Sequence, residues 1–355
     1  MFETDDIVLQ EDLIDLVNGN TPFDKLDNKT VFVTGVTGLI GSQIVRTLLC
    51  YNRLKSANIK VVGLARSKEK TIHIFGDLLN RDDFEIVYGD ILSTIHYEGN
   101  VDYIIHGASA TDSKYFVDHP VETIKIAIDG TTHILEFARE KNVSGFLYLS
   151  SLEVYGTPNG NNKYISENDY GYIDPLNVRS SYSEGKRMVE CLCVSYGSEY
   201  NIPVKIARLS QTFGTSVEYN DKRVFAEFAR CSIERKNIVL HTRGNTVRSY
   251  CYTKDAVSAL IFILVNGQSL EAYNVTNMNT ACSISEMAEL VCNLYEDRKI
   301  QVEYDIAENI AAFGYNPEMI IRLDTSKLQS LGWTPTVDLD EMFKRMIKSI
   351  EYRYQ

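Results

Sequence analysis

The sequence predicts an α/β chain: a doubly wound, mostly parallel sheet followed by a smaller α/β C-terminal part. Short apolar runs alternate with amphipathic helical stretches up to about residue 210, the pattern of strands covered on both faces. A glycine-rich turn stands at the first strand–helix junction. The 355 residues, 44% hydrophobic and 24% charged, are enough for one large or two unequal globular domains.

Residues 1–28 read as a helical extension, with Leu9, Leu13 and Val17 at helical spacing. Val31–Val33 is a buried strand and Ile40–Leu49 an amphipathic helix. Lys60–Ala65, Phe84–Tyr88 and Val101–His106 follow as strands. Val121–Lys141 is a long helix, Gly145–Leu149 a strand, Arg179–Tyr200 a second long helix and Val204–Leu209 a strand. Beyond 210 the alternation loosens, leaving helices at Val224–Arg235, Asp255–Val265 and Ile284–Tyr295. The expected division is 1–28, then 29–210 as a Rossmann domain, then 211–355 as a substrate domain interleaved with it.

A net charge of −12 argues against a nucleic-acid binder, although a local site in an acidic protein still takes an anion. The cysteines at 50, 191, 193, 231, 251, 282 and 292 are scattered, with only a C-x-C pair, so free thiols in a reducing compartment are expected and no metal site. The start lacks a basic, then apolar leader, and the apolar run Ala259–Val265 is too short to span a bilayer. The expectation is a cytoplasmic protein without membrane or nucleic-acid partners.

The first strand runs into Gly35-Val36-Thr37-Gly38-Leu39-Ile40-Gly41. Glycines at this spacing let the backbone turn tightly and approach a pyrophosphate, which then faces the N-terminus of the next helix. At a strand–helix junction the motif predicts a bound dinucleotide. The second strand ends in Leu64-Ala65-Arg66-Ser67, without the acid that would hold a ribose 2′-hydroxyl. Arg66 offers a fork for a 2′-phosphate and tilts the choice between NAD and NADP toward NADP, unless it is a solvated surface arginine. Asp90, before Ile91, is placed to accept from an adenine amino group or is a plain loop aspartate.

Four segments occur in order: Gly35-x-x-Gly38-x-x-Gly41; His106-Gly107-Ala108-Ser109; Ser150-Ser151-Leu152-Glu153-Val154-Tyr155-Gly156; and Tyr182-Ser183-Glu184-Gly185-Lys186. Together they resemble the NAD-dependent epimerase/dehydratase family of extended short-chain dehydrogenases, over roughly residues 30 to 345. From the residues alone, Tyr182 and Lys186 share one helix face, and a lysine charge beside a phenol lowers its pKa. A tyrosinate takes a hydroxyl proton while a hydride leaves the same carbon. Ser151 ends the fifth strand, where ligands collect in such sheets. Other readings are an exposed Y-x-x-x-K pair and a backbone-binding role for Glu153.

The resemblance implies a tightly held NAD or NADP contacted by Gly35, Thr37, Gly38, Leu39, Ile40, Gly41, Arg66, Asp90, Ile91, Ala108, Tyr182 and Lys186. It implies a nucleotide-sugar substrate contacted by Ser109, Ser151, Glu153, Gln211 and Arg248, with Arg248 on the diphosphate. It implies oxidation at sugar C4 by the catalytic residues Ser151, Tyr182 and Lys186, with Glu153 as a further catalytic residue, a base or a polar orienter. Leu152 stands where dehydratases of the family carry an acid, which disfavours dehydration and leaves 4-epimerase and UDP-glucuronate decarboxylase types. Gln211 stands where the family often has asparagine, which puts the usual sugar in question. A homodimer through the two long helices is also implied. Arg179 and Arg187 are expected as surface charges or dimer contacts, and His106 and Tyr155 as packing residues. The competing functions are an NADPH-dependent reductase of a small carbonyl compound and a catalytically silent Rossmann module.

Overall fold

The computed structural model describes residues 2–158, 163–306 and 318–354. The chain opens with helix α1 (Ile7–Asn18), whose Asp6 carboxylate caps the Val8 and Leu9 N–H groups. Then come β1 (Thr30–Thr34), α2 (Leu39–Lys55), β2 (Lys60–Ala65), α3 (Lys68–Phe75), β3 (Phe84–Tyr88) and β4 (Tyr103–His106). The short α4 (Ser113–Asp118), the long α5 (Pro120–Lys141), β5 (Gly145–Ser151), α6 (Ser180–Tyr200) and β6 (Val204–Leu209) complete the first half.

The strands β1 to β6 lie in one sheet, with β10 (Glu271–Val275) as its seventh strand. The order is β10-β6-β5-β4-β1-β2-β3, all neighbours parallel. Alternation within β1 shows how both faces are filled. Val31 and Val33 join Ile44, Val45 and Leu48 of α2 on one side, whereas Phe32 packs with Ile134, Phe137 and Val189 of α5 and α6 on the other. The chain reverses direction across the sheet between β1 and β4, and the crevice at such a switch point is where ligands bind.

The second half contributes β7 (Gln211–Phe213), α7 (Val224–Glu234), β8 (Ile238–Leu240), β9 (Val247–Tyr252) and α8 (Thr253–Asn266). After β10 follow β11 (Asn277–Ser283), α9 (Ile284–Asn293), β12 (Val302–Tyr304), β13 (Ile320–Ile321), α10 (Ser326–Gln329) and α11 (Leu339–Tyr354). β7, β9, β11 and β13 form a second sheet, and α7, α9 and α11 close a separate core around Phe213, Phe225, Met287 and Phe343. By contrast, α8 packs with α2 against the large sheet. Residues after 210 therefore serve both cores.

Element ends differ from the pattern for local reasons. β4 starts at Tyr103, not Val101, because Asp102 turns its carboxylate to accept from the Thr30 N–H at 2.8 Å. α7 stops at Glu234, one residue early, because Arg235 takes a left-handed φ of 56°. α9 ends at Asn293, and the Leu294 N–H bonds back to Val291. The helices α3, α4, α10 and α11 were not expected. Among the described residues no helix is long and apolar enough to cross a membrane, and the cysteines are free thiols.

Candidate active site

One open cleft of about 2250 Å³ lies along the C-terminal ends of the parallel strands and reaches β9 of the second sheet. That is well above the usual few hundred to a thousand Å³ and leaves room for two extended ligands. Every residue expected to contact cofactor or substrate lines it: Gly35, Thr37, Gly38, Leu39, Ile40, Gly41, Arg66, Asp90, Ile91, Ala108, Ser109, Ser151, Glu153, Tyr182, Lys186, Gln211 and Arg248.

At the first βα junction Gly35 has φ +68°, and a Cβ there would lie 2.7 Å from the Gly107 backbone carbon. A Cβ at Gly41 would lie 2.3 Å from the Gly35 carbonyl oxygen. The turn is therefore closed to side chains, and helix and strand touch. Gly38 has no side chain to cap α2, so the first N–H groups of that helix are left for a ligand. A tight N–H-rich turn at a helix N-terminus suits a pyrophosphate. Thr34 Oγ1 accepts from the Ala108 N–H at 3.1 Å, tying this turn to the end of β4. Beyond it, Arg66 is exposed and stands 3.9 Å from Asp90 across the rim. The two side chains thus face each other at the rim.

Deeper in the cleft, Ser151 at the end of β5 stands beside the Tyr182 phenol, and its Oγ accepts from the Glu153 N–H at 3.2 Å. The Tyr182 ring stacks on Phe116, with centroids 4.2 Å apart and planes 9° apart. Burial pushes the phenol up to about 12. The Ser151 hydroxyl and Arg179 oppose that rise, and Glu153 adds to it. Lys186 lies a helical turn below, its Nζ 5.7 Å from the Tyr182 ring centroid and donating to the Leu149 carbonyl at 2.8 Å. Burial pulls Lys186 down to about 8 against the nearby Glu190 carboxylate. The expected lowering of the phenol by Lys186 is thus not the dominant effect: the ammonium is tied to the backbone and desolvation of Tyr182 wins.

Glu153 is held at both oxygens. Ser183 Oγ donates to Oε2 at 3.1 Å and Arg179 Nη2 donates to Oε1 at 3.3 Å. Arg179 is therefore no surface charge; its guanidinium also lies 5.1 Å from the Phe116 ring centroid. Arg187 likewise turns inward, donating to the carbonyls of Val154 and Gly171 at 2.6 and 2.7 Å. In sequence, Arg179 stands three residues before Tyr182, a helical spacing that would have placed it beside the phenol. Phe116 carried no such signal.

His106 and Tyr155 are buried, as packing residues should be, but each is also hydrogen-bonded. His106 Nδ1 lies 2.7 Å from Thr34 Oγ1, and burial drives the imidazole down to about 3, so it is neutral. Tyr155 donates to Asn274 Oδ1 at 2.6 Å and accepts from Arg208 at 3.0 Å. Arg208 in turn pairs with Glu190 at 2.6 Å, in a nearly dry setting beneath the site. Glu190 also accepts from Ser150 Oγ at 2.6 Å.

At the far end, Gln211 and Tyr250 sit opposite each other in the β7–β9 register. Arg248 Nη2 approaches the Met319 sulfur at 3.7 Å. Ser210 and Tyr250 belong to the cleft lining, but their hydroxyls are buried and have no hydrogen-bond partner among the described residues. The guanidinium of Arg248 at this end of the cleft suits an anionic ligand.

Known proteins resemble this chain in sequence and in fold. The family model of the NAD dependent epimerase/dehydratase family matches residues 31–276. UDP-glucuronic acid decarboxylase 6 of Arabidopsis thaliana is 30% identical over 327 residues, covering 92% of this chain and 90% of that protein. The fold resembles UDP-glucose 4-epimerase of Thermotoga maritima, solved with UDP-glucose, with a TM-score of 0.76 at 18% identity, covering 92% of this chain and 100% of that one. It also resembles UDP-glucuronic acid 4-epimerase of Bacillus cereus, solved with UDP-glucuronic acid and NAD, with a TM-score of 0.73 at 20% identity, covering 92% and 100%. With the glycine turn, the Ser151–Tyr182–Lys186 cluster and a sequence match over most of its length, the chain belongs to the NAD dependent epimerase/dehydratase family.

Proposed function

We propose that the chain oxidises C4 of a nucleotide-bound hexose to a 4-keto sugar, and that the substrate is a UDP-hexuronate which then loses its carboxyl group. The observation that carries this is the convergence of Ser151, Tyr182, Lys186 and Glu153 on one cleft that also presents Arg248. The choice of decarboxylation rests on sequence likeness over nine-tenths of the chain to a UDP-glucuronic acid decarboxylase. The dinucleotide, when bound, supplies the hydride acceptor and returns the hydride.

In this reading Tyr182 takes the C4 hydroxyl proton and Ser151 donates to the reacting oxygen. Lys186 orients the dinucleotide ribose and keeps positive charge beneath the phenol. Glu153, held in place by Ser183 and Arg179, orders the sugar. Arg248 binds the diphosphate, and Ser109 and Gln211 contact the sugar. The glycine turn with Thr37, Leu39 and Ile40 holds the pyrophosphate, while Asp90, Ile91 and Ala108 line the adenosine side. Arg66 favours NADP over NAD, since β2 ends without a carboxylate, and binding a 2′-phosphate requires it to leave Asp90. The cofactor is expected to survive purification, because a hydride that is returned needs no exchange. A cytoplasmic homodimer follows from the same reading, with Val121 and Ile124 of α5 and Met188 of α6 exposed for the partner.

The test is mass spectrometry of products from UDP-glucuronate and a panel of other sugar nucleotides, with NAD or NADP. A product lighter by carbon dioxide supports the proposal, and Glu153→Gln should then slow it about 100-fold. An isobaric product means epimerisation, and loss of water means dehydration. No change in any sugar nucleotide favours reduction of a small carbonyl compound.

A further inference from the structure

The first dozen residues carry three buried acids, Glu3, Asp6 and Asp12, none more than 3% exposed. All precede the span matched by the family, and α11, which binds two of them, follows it. Apolar anchoring of the segment is handled separately, by Leu9, Leu13 and Val17 on Cys50 of α2. A carboxylate is expensive to bury and is not needed to glue a helix down. Its retention calls for a geometric role, such as fixing the register of the parts it joins.

Asp12 joins parts that the cleft separates. Its Oδ2 accepts from Tyr252 Oη at 2.6 Å and from Thr215 Oγ1 at 3.1 Å. Its Oδ1 accepts from Arg345 Nε of α11 at 3.0 Å. Tyr252 ends β9, the strand that carries Arg248. Thr215 follows β7, the strand that carries Gln211, and its carbonyl accepts from Gln43 of α2 at 2.7 Å. Gln43 stands two residues after Gly41 of the cofactor turn. A continuous chain of hydrogen bonds thus runs from the cofactor helix through Thr215 and Asp12 to the strand of the substrate arginine.

We infer that the N-terminal segment is a brace that sets the spacing between the dinucleotide half and the sugar-nucleotide half of the cleft, with Asp12 as its positioning residue. This rests on the functional reading above for the identity of the ligands, but not for the brace itself. Asp12 touches no ligand and acts through Tyr252 and Thr215. Its loss therefore leaves each half-site intact and misaligns them.

The experiment uses the full chain with Asp12→Ala and, as a milder change that keeps the fold, Tyr252→Phe. Amide hydrogen exchange is followed in segments 210–217 and 247–252, and KM and kcat are measured on whichever sugar nucleotide the wild type converts. Faster exchange in both segments is expected in both variants, with a KM raised about tenfold for Asp12→Ala and a dinucleotide Kd changed less than about threefold. Asp12→Asn, which keeps an acceptor for the two hydroxyls, should recover much of the KM. Exchange equal to wild type in folded variants overturns the brace whatever the ligand. Exchange that rises while KM stays put makes Asp12 structural only and also overturns it. A wild type that converts no sugar nucleotide overturns the functional reading, and the exchange data still decide the brace.

Discussion

Lys186 holds the Leu149 carbonyl at 2.8 Å while its ammonium stands 5.7 Å from the centre of the Tyr182 ring. The lysine is thus fixed by the backbone of the strand that presents Ser151, and the phenol by its ring's stack on Phe116. The two groups are set independently and can be tested independently.

Replacing Tyr182 by phenylalanine removes the proposed proton acceptor and keeps the stack on Phe116. Turnover should fall by a factor of about 10² to 10⁴, with dinucleotide affinity retained. Steady-state assay with calorimetric titration of the cofactor checks both. Near wild-type turnover would remove Tyr182 from the chemistry.

Lys186 loses its charge near pH 8, so kcat/KM should decline above that pH. Stability should move the other way. The folded lysine releases its proton near 8 and the unfolded one near 10.5, so between those values the unfolded chain binds more protons. The contribution of this group to stability therefore rises with pH in that window. Urea midpoints of wild type and Lys186→Met from pH 7 to 10 measure it. A wild-type slope unchanged by the substitution would show that Lys186 is not the source.

Gly35→Ala places a methyl group into the Gly107 backbone at a φ of +68°. The strain is about 1–3 kcal/mol, and relief must come from moving the turn. Dinucleotide binding should be lost before the fold is. Thermal melts with and without NAD read this: the variant should show no cofactor-induced rise in Tm.

Glu190→Ala strands the Arg208 guanidinium, whose side chain is 2% exposed, and removes the acceptor of Ser150. Breaking one member of a buried pair costs about 3–5 kcal/mol. Chemical denaturation should show a loss of that size, and a loss under 1 kcal/mol would mean that water or a neighbour replaces the carboxylate.

Much of this architecture was legible because it is periodic or local. Strand–helix alternation marked the large sheet, and both alternating faces of β1 are covered as buried parallel strands require. The glycine spacing marked the turn, and helical spacing paired Tyr182 with Lys186. The illegible parts are long-range. Nothing near Phe116 indicates that it will stack on Tyr182, 66 residues later in the chain by numbering. Arg179 looked like a surface charge because its partner Glu153 comes from another element. The inward turn of Arg187 depends on carbonyls of the loop after β5, which periodicity does not describe. The short helices α3 and α10 lack the length for a clear apolar stripe, and α11 closes a core assembled from distant elements.

The acids near the N-terminus also bear on the order in which the molecule assembles. Asp6 accepts from Ser349, a partner 343 residues away, and Asp12 accepts from Arg345, 333 residues away. During synthesis the first segment therefore emerges long before the helix that satisfies its carboxylates, and the large sheet itself waits for β10 at its edge. Contacts of such separation form late and slow the final step of folding. α1 and α11 act as a latch closed last, so nascent protein should remain protease-sensitive around α1 until residues near 350 have left the ribosome.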